Sequence, residues 1–395
     1  MISYKEALNI INSLSITPVG EELTPLKYGL NRILSKKIVS PIHMPPFNQS
    51  AMDGYAVHFD EITNKNFKLV GEVAAGDDAS GMVLNKGEAV RIFTGAMVPD
   101  TANAVIMQEK VDITDTHITI NEHLENGKNI RLIGEQIKKG DLALNEGTQL
   151  NAAAIGYLKG LGITEVYVYK QPKIAIIVTG NELIDNDDKL TPGKIFESNG
   201  WMIENALKAL HFNQINHFKL PDNYNQTKSL IATLSSEFDV MLFSGGISVG
   251  DYDFVGKSLT DLKSEQYFYK INQKPGKPLF FGKLNNAYIF GLPGNPAASL
   301  NSLYIYVYPL LNKFFNLNKQ LPVIKLPVIN NYTKKDSKTH FLKATINADM
   351  QIEILDAQSS AMLKSFALAN CLAIVPEQAK SILPNDVLEA FLLPF

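Results

Sequence analysis

The stretch Lys173-Ile174-Ala175-Ile176-Ile177-Val178-Thr179-Gly180 decides the fold class of this 395-residue chain. Its continuous apolar run, mostly β-branched and ending at Thr-Gly, is typical of a strand buried on both faces. Further strands and helices alternate downstream: we predict helices over about 200–212, 226–238 and from 296 onward, and strands over 215–220, 240–243, 279–281 and 287–290. This alternation predicts an α/β domain with a parallel, doubly wound sheet.

The rest of the chain differs in texture and predicts a multidomain α/β plus β protein. Helical spacing of apolar residues begins near Ala7, and a second helix is expected from about Pro25 to Leu34, capped by Thr24. The predicted domains are an elongated helical region of 1–45 with 141–170, an inserted β-rich domain of 46–140, the α/β domain of 171–317, and a small C-terminal β-barrel of 318–395.

Composition excludes several classes of protein. The net charge is −3, whereas a general nucleic-acid or anionic-membrane binder usually carries a basic excess. The single cysteine, Cys371, cannot form an internal disulfide or a cysteine metal site. The first residues lack the basic start and apolar core of a signal peptide, and the apolar segment 297–315 is interrupted by Asn and Lys. We therefore expect a cytoplasmic protein that binds neither nucleic acid nor membrane.

Polar loops follow the predicted strands of the α/β domain, where open α/β sheets bind their ligands. The loop Ser244-Gly245-Gly246-Ile247-Ser248-Val249-Gly250 has the glycines of a phosphate nest, and Gly291 to Pro296 leads into a helix with Asn295 as its expected cap. Lysines suited to an oxyanion and carboxylates suited to Mg²⁺ occur in the same region: Lys270, Lys274, Lys277, Glu182, Asp222 and Asp253. Each feature alone is more often a turn or a solvated charge, but together they predict an anion site with a metal.

Five segments, in order, resemble the MoeA family, which is related to the E domain of gephyrin. They are 45–56 (PPFNQSAMDGYA), 92–99 (IFTGAMVP), 178–183 (VTGNEL), 244–250 (SGGISVG), and 274–278 (KPGKP) followed by 291–296 (GLPGNP). The resemblance implies a molybdopterin-binding α/β domain, a helical dimerisation region and a homodimer. It also implies a reaction: molybdenum from molybdate enters adenylylated molybdopterin, with Mg²⁺-dependent release of AMP, to give molybdenum cofactor.

The resemblance assigns roles to individual residues. It implies catalytic roles for Asp53, Thr94, Glu182, Asp222, Asp253, Lys270 and Lys274, with Glu182, Asp222 and Asp253 as metal ligands. It implies binding roles for Gly245, Gly246, Ser248, Gly250, Lys277, Pro293, Gly294, Pro296 and Ser360. The implied partners are a molybdopterin adenylyltransferase upstream and apo-molybdoenzymes downstream.

The chain departs from the family pattern at two places. Asn48-Gln49-Ser50 replaces the usual Asp-Asn-Ser, and Lys338 and Lys343 stand where the family often has arginines. A lysine meets an oxyanion as a point charge and lacks the two-pronged arginine fork. Two alternative functions remain at this stage: an enzyme that adenylylates molybdopterin with ATP, and a scaffold without catalysis.

Overall fold

The predicted strand at 174–178 lies inside a six-stranded sheet. In the computed structural model, which describes residues 1–60, 65–185, 189–220, 223–245 and 254–394, the strands of this central sheet follow the order Ile215–Leu220, Ile174–Thr179, Val240–Ser244, Ala287–Leu292, Phe280–Leu284 and Glu265–Tyr269. The first four are parallel, as predicted.

The expectation of a purely parallel sheet was wrong for the other edge. Phe280–Leu284 runs antiparallel to both of its neighbours. Only two residues separate it from Ala287–Leu292, and a parallel crossover needs a dozen or more. The edge strand Glu265–Tyr269 was not predicted, because its polar first residues interrupt the alternation of apolar and polar side chains by which a strand is recognised. The sheet is therefore mixed, with its parallel part carrying the predicted loops.

Helices cover both faces of the central sheet. They are Asn199–Ala209, Tyr224–Glu237, Phe254–Asp261 and a long helix built of Pro296–Ser302, a π-helical segment Leu303–Val307, and Tyr308–Lys313. One face buries Ala175, Ile177, Met241 and Phe243 against the side chains of Tyr224–Glu237 and Phe254–Asp261. The N-terminal helix Tyr4–Ser13 starts with a capping box between Ser3 and Glu6, and it contacts the long helix and, through Tyr4, the ring of Phe341.

A second sheet forms from the C-terminal part of the chain. Its strands follow the order Gln273–Lys274, Thr339–Ile346, Cys371–Val375, Val387–Leu392 and Val323–Pro327, with Ile352–Ile354 paired beside Thr339–Ile346. A bridge between Val328 and Ile352 connects the residue after Val323–Pro327 to the strand Ile352–Ile354. Smaller elements of the C-terminal part are the pair Tyr332–Thr333 with Ser381–Ile382 and the helix Leu363–Leu368. Another short pair joins Leu183–Ile184 to Ile195–Phe196 in the α/β part of the chain.

Clustering of contacts separates the chain into two units, Met1–Glu22 with Tyr169–Phe395, and Leu23–Val168. The second unit consists mainly of strands. Its six-stranded sheet has the order Ala104–Met107, Gly54–Val57, Glu88–Ile92, Asn66–Val73, His117–Ile120 and Val111–Ile113. Short pairs join Gln49–Ser50 to Ile130–Arg131, Ile38–Val39 to Leu142–Leu144, and Glu21–Pro25 to Glu165–Tyr169, and the helices are Ala152–Gly160 and the 3₁₀ turns Leu26–Tyr28 and Gln108–Lys110.

The predicted helix from Pro25 to Leu34 was wrong. Only the 3₁₀ turn Leu26–Tyr28 forms, and Asn31 has a φ of 63° that no right-handed helix contains. The backbone N–H groups of Leu26 and Leu34 instead donate to carbonyls of residues 164 and 148, so pairing with distant segments overrides the local periodicity. None of the helices in the described ranges has the length and apolarity that a membrane crossing requires.

Candidate anion-binding site

A cavity of about 790 Å³ opens at the carboxyl ends of two parallel strands of the central sheet, Val240–Ser244 and Ala287–Leu292. We call it the lysine cavity. Its lining residues are Gly245, Gln273, Lys274, Pro275, Gly276, Lys277, Pro278, Leu292, Pro293, Gly294, Asn295, Ala298, Lys338, Gln358, Ser359 and Ser360.

One side of the lysine cavity is formed by the loops that follow the two strands. Gly245 has a φ of 87°, and a Cβ there would lie 3.3 Å from Thr179 Oγ1, so a side chain would be both strained and crowded. Asn199 Nδ2 donates to Ser244 Oγ and to the Gly294 carbonyl, each at 2.8 Å. A single amide therefore holds the two loops at a fixed separation.

The lysine loop 274–278 forms a second side. Gln273–Lys274 pairs in parallel with Thr339–Ile346 and places Lys274 in register with His340. The buried Gln273 donates to the Gly276 carbonyl at 3.1 Å and accepts from the Tyr306 hydroxyl, which lies in the π-helical segment. These hydrogen bonds fix the backbone of the loop, and with it the positions from which the side chains of Lys274 and Lys277 extend.

The third side, which we call the C-terminal wall, consists of Lys338, Gln358, Ser359 and Ser360. Asn295 Nδ2 donates to Ser360 Oγ at 2.9 Å, and the Ser360 carbonyl accepts from Ala297 N–H at 3.0 Å. Asn295 is the N-cap residue and the helix starts at Pro296, as expected, but the Asn295 side chain forms no cap hydrogen bond. The asparagine instead connects the loop before the helix to the C-terminal wall.

The lysine cavity has a cationic lining. Lys274, Lys277 and Lys338 line it, and the described lining residues include no carboxylate. Asp336, just outside, accepts from the Lys338 N–H at 3.0 Å and from His340 Nε2 at 2.8 Å. Burial lowers the pKa of His340, and the positive charge of Lys274 acts in the same direction while Asp336 opposes it. The cations that line the cavity are thus Lys274, Lys277 and Lys338, and the last of these lies 4.0 Å from the Asp336 carboxylate.

Comparison with known proteins identifies the chain. Residues 2–162 match the pattern described as the MoeA N-terminal region (domain I and II), residues 175–313 match a probable molybdopterin binding domain, and residues 325–393 match the MoeA C-terminal region (domain IV). The chain belongs to the MoeA family. The resemblance drawn from the five sequence segments is thus confirmed.

Curated and structural relatives of the MoeA family agree over nearly the whole chain. A molybdopterin molybdenumtransferase from Haemophilus influenzae is 36% identical over 373 residues, covering 92% of each chain. One from Staphylococcus epidermidis is 31% identical over 402 residues, covering 99% of this chain and 95% of the relative. A molybdopterin biosynthesis MoeA protein from Pyrococcus horikoshii superposes with a TM-score of 0.85 at 26% identity, covering 99% of this chain and 100% of that one. The two molybdopterin molybdenumtransferases are named for the same activity that the sequence predicts for this chain.

The structure brings together many of the predicted binding residues. Gly245, Lys274, Lys277, Pro293, Gly294 and Ser360 all line the lysine cavity. Pro296 begins the long helix and is absent from the lining. Lys270 is also absent from it, and its Nζ lies 5.0 Å from the ring centroid of Tyr269.

The predicted metal ligands are only partly described. Glu182 is exposed, and its carboxylate packs within 2.6 Å of the position that a Cβ on Gly180 would take. Asp222, Asp253, Gly246, Ser248 and Gly250 lie outside the described residues. Within the described ranges, no group of three or more His, Cys, Asp or Glu side chains could hold a metal ion. The Mg²⁺ site therefore stays a prediction.

Asp53 and Thr94, to which the family resemblance assigns roles in the β-rich unit, are in contact. Asp53 Oδ1 accepts from the backbone N–H and from the hydroxyl of Thr94, both at 2.7 Å. These two hydrogen bonds, the backbone one first, lower the pKa of Asp53. Gly54, the next residue, approaches the neighbouring strand so closely that a Cβ would lie 1.9 Å from the Ile106 carbonyl oxygen. In the Asp-Gly-Tyr motif, the exposed Asp53 carboxylate is therefore favoured in its ionised form by Thr94, and the close approach of the neighbouring strand requires glycine at position 54.

Reasoning from the sequence missed several residues of the lysine cavity. Asn199 and Gln273 act through hydrogen bonds to residues about 45–95 and 3–33 positions away, which no local pattern reveals. The one available signal for Asn199 was its place in Ser-Asn-Gly at the start of a predicted helix. Lys338 was noted as a replacement of a family arginine, and the structure places it in the cavity lining.

Proposed function

We propose that this chain inserts molybdenum from molybdate into adenylylated molybdopterin, with Mg²⁺-dependent release of AMP, and acts as a cytoplasmic homodimer. The observation that carries the proposal is the lysine cavity, with three lysines, two glycine loops and a serine hydroxyl converging at the carboxyl ends of the central sheet. Such a lining suits a dianion, since each lysine adds a charge and up to three hydrogen-bond donors. The relatives' activity requires binding of one such dianion, molybdate.

The C-terminal wall supplies the directional part of anion binding. Because Ser360 Oγ accepts from Asn295, its own hydrogen is left to donate into the cavity. Lys338 and Lys274 would then meet the oxyanion from either side as point charges. Lysine in place of the family's arginine lacks the two-pronged fork, so this chain would rely on the hydroxyl for orientation.

The other substrate would lie against the glycine loops. Gly245 and Gly294 expose backbone close to the cavity, where a pyrophosphate can approach without meeting a side chain. Glu182, Asp222 and Asp253 would hold Mg²⁺, which would neutralise charge that develops on the phosphoryl group during release of AMP. Asp53, kept ionised by Thr94, would come from the partner of a homodimer.

The proposed reaction has a defined place between two classes of enzyme. A molybdopterin adenylyltransferase would supply the adenylylated substrate. Apo-molybdoenzymes would accept the product. These partners are proposed from the chemistry alone: one enzyme makes the adenylylated substrate, and the others take up the product.

The test is release of AMP from adenylylated molybdopterin by the purified full chain, with Mg²⁺, in the presence and absence of molybdate. We expect release that depends on molybdate and is lost in Lys274→Met but kept in Lys335→Met, since Lys335 is exposed and does not line the cavity. Consumption of ATP with unadenylylated molybdopterin would favour the adenylylating alternative. No release by a folded preparation would leave a pterin-binding protein.

A further inference from the structure

The family resemblance leads to the expectation of an arginine at position 343, but the lysine found there is absent from the lining of the lysine cavity. The residue lies in the strand Thr339–Ile346 and is only 3% exposed. Its Nζ donates to the carbonyl oxygens of Ala357 at 2.7 Å, Ser359 at 3.1 Å and Met362 at 3.1 Å. An ammonium group has three hydrogens, so its donors match these acceptors in number.

The three carbonyls belong to one loop, 357–362, which includes Gln358, Ser359 and Ser360 of the C-terminal wall. A second contact reinforces the first: Lys343 N–H donates to Gln358 Oε1 at 3.0 Å, and Gln358 Nε2 donates to the Lys343 carbonyl at 2.8 Å. Both main chain and side chain of Lys343 therefore hold the loop.

The loop contains a backbone conformation that requires such support. Ala357 has a φ of 59°, in the left-handed region that costs a residue with a Cβ on the order of 1–3 kcal/mol. Its carbonyl accepts from Lys343 Nζ and also from Ser365 Oγ at 2.9 Å. Such a conformation persists only when the surrounding contacts over-determine it. The carbonyl directions in 357–362 thus depend on the buried ammonium.

We propose that Lys343 is a positioning residue for oxyanion binding: it sets the loop 357–362 through three carbonyls and so aims the Ser360 hydroxyl into the lysine cavity. The inference rests on the proposed function for the identity of the oxyanion, but the positioning of the loop can be measured separately. It distinguishes the two lysines that stand at family arginine positions. Lys338 meets the anion directly, whereas Lys343 acts through Ser359 and Ser360.

A neutral side chain would not replace this contact. Methionine fills a similar volume but leaves the three carbonyls without a donor, and glutamine offers two donor hydrogens and no charge. Arginine keeps the charge and several donors in the same pocket. The order of loop fixation should therefore be wild type, then Lys343→Arg, then Lys343→Gln, then Lys343→Met.

The experiment combines hydrogen–deuterium exchange with molybdate binding on the full chain. Exchange is followed in peptides spanning 355–363, and Kd for molybdate is measured by calorimetry. At metal sites, the partners that orient a ligand contribute about 10–100-fold to affinity or activity. By analogy, Lys343→Met is expected to weaken molybdate binding by about tenfold and to speed exchange in 355–363. Lys343→Gln should give a smaller change in both, and Lys343→Arg should restore most of each.

Two control variants separate the outcomes. Lys364→Met removes an exposed lysine next to the same loop and should change neither readout. Lys338→Met should weaken molybdate binding without faster exchange in 355–363. Unchanged exchange in both Lys343→Met and Lys343→Gln, or weakened binding without faster exchange, would overturn the positioning role. If Lys343→Met does not fold, Lys343→Gln decides. Failure of the wild type to bind molybdate or release AMP would instead refute the proposed function, with the exchange result standing by itself.

Discussion

Asn199 ties together the two loops that form one side of the lysine cavity, so replacing it with alanine should loosen both. The variant loses two hydrogen bonds, to Ser244 Oγ and to the Gly294 carbonyl, each 2.8 Å long. A net contribution of about 0.5–1.5 kcal/mol for each bond gives a loss of roughly 1–3 kcal/mol. Since 1 kcal/mol shifts the Tm of a domain of about 150–250 residues by about 2–4 °C, the unfolding transition should move down by several degrees.

The functional consequence of Asn199→Ala should appear in substrate binding. Gly294 and Gly245 would no longer be held at one separation, so we expect the KM for adenylylated molybdopterin to rise more than kcat falls. Thermal unfolding followed by near-ultraviolet circular dichroism and steady-state AMP release measure the two effects. Asn205→Ala is the matched control, because Asn205 lies in the same helix and its side chain donates to the Trp201 carbonyl within that helix. A variant with an unchanged Tm and an unchanged KM would refute the bridging role.

Three other predictions follow from single contacts. Gly54→Ala should destabilise the β-rich unit by about 1–3 kcal/mol through overpacking, which should appear as a lower Tm. The control Gly71→Ala should leave the Tm unchanged, because a Cβ at Gly71 would have its nearest neighbour 3.9 Å away; equal losses of Tm in the two variants would contradict the prediction. Thr94→Val should raise the pKa of Asp53 toward its ordinary value in a carbon-13 titration of the carboxyl group. Because that pKa is lowered in the folded protein, the stability that the Asp53 carboxylate adds is present above its unfolded pKa and is lost as pH falls through the folded one. The variant, whose folded pKa lies closer to the unfolded value, should lose less stability on acidification and complete that loss at a higher pH. Lys338→Met should weaken molybdate binding by at least about tenfold, because a hydrogen bond to a charged group contributes about 1.5–3 kcal/mol. The remaining binding should also depend less on salt concentration, and an unchanged affinity would exclude direct contact between Lys338 and the anion.

The sequence predicted the parallel core of the α/β domain because burial leaves a direct trace there. Ile174–Thr179 and Val240–Ser244 are continuous apolar runs, and both are buried along nearly their whole length. The Gly-rich and Lys-rich loops could be placed at one edge because parallel strands all end on the same side. This is why Lys274, Gly245 and Pro293 were predicted together and do line one cavity.

The failures lie where distant pairing determines local structure. Residues 25–34 have helical periodicity, but the N–H of Leu26 finds its acceptor at Thr164 and that of Asn31 at Leu150. Asn295 is the N-cap residue of its helix, yet its side chain forms no cap bond, and its Nδ2 donates instead to Ser360 Oγ, 65 residues later. A local sequence pattern indicates which structures a segment can form, and long-range hydrogen bonds such as these determine which of those structures it adopts.

Lys338 and Lys343 illustrate the same limit within one strand and its preceding turn. Both replace family arginines in one seven-residue stretch, and nothing in the sequence distinguishes them. The structure does, since Lys338 lines the cavity and Lys343 is buried among carbonyls of 357–362. Five residues along the chain, together with the pairing of Thr339–Ile346 in the C-terminal sheet, separate a surface cation from a buried one.

The central claim is that molybdenum is transferred to the pterin, and the product tests it most directly. The full chain would be incubated with adenylylated molybdopterin, Mg²⁺ and molybdate, and the product added to an apo-molybdoenzyme whose activity and bound molybdenum are then measured. We predict recovery of enzyme activity together with about one molybdenum per recipient site, and neither when molybdate is omitted. AMP release without molybdenum in the recipient would contradict the claim, because it would show hydrolysis of the adenylylated substrate without insertion.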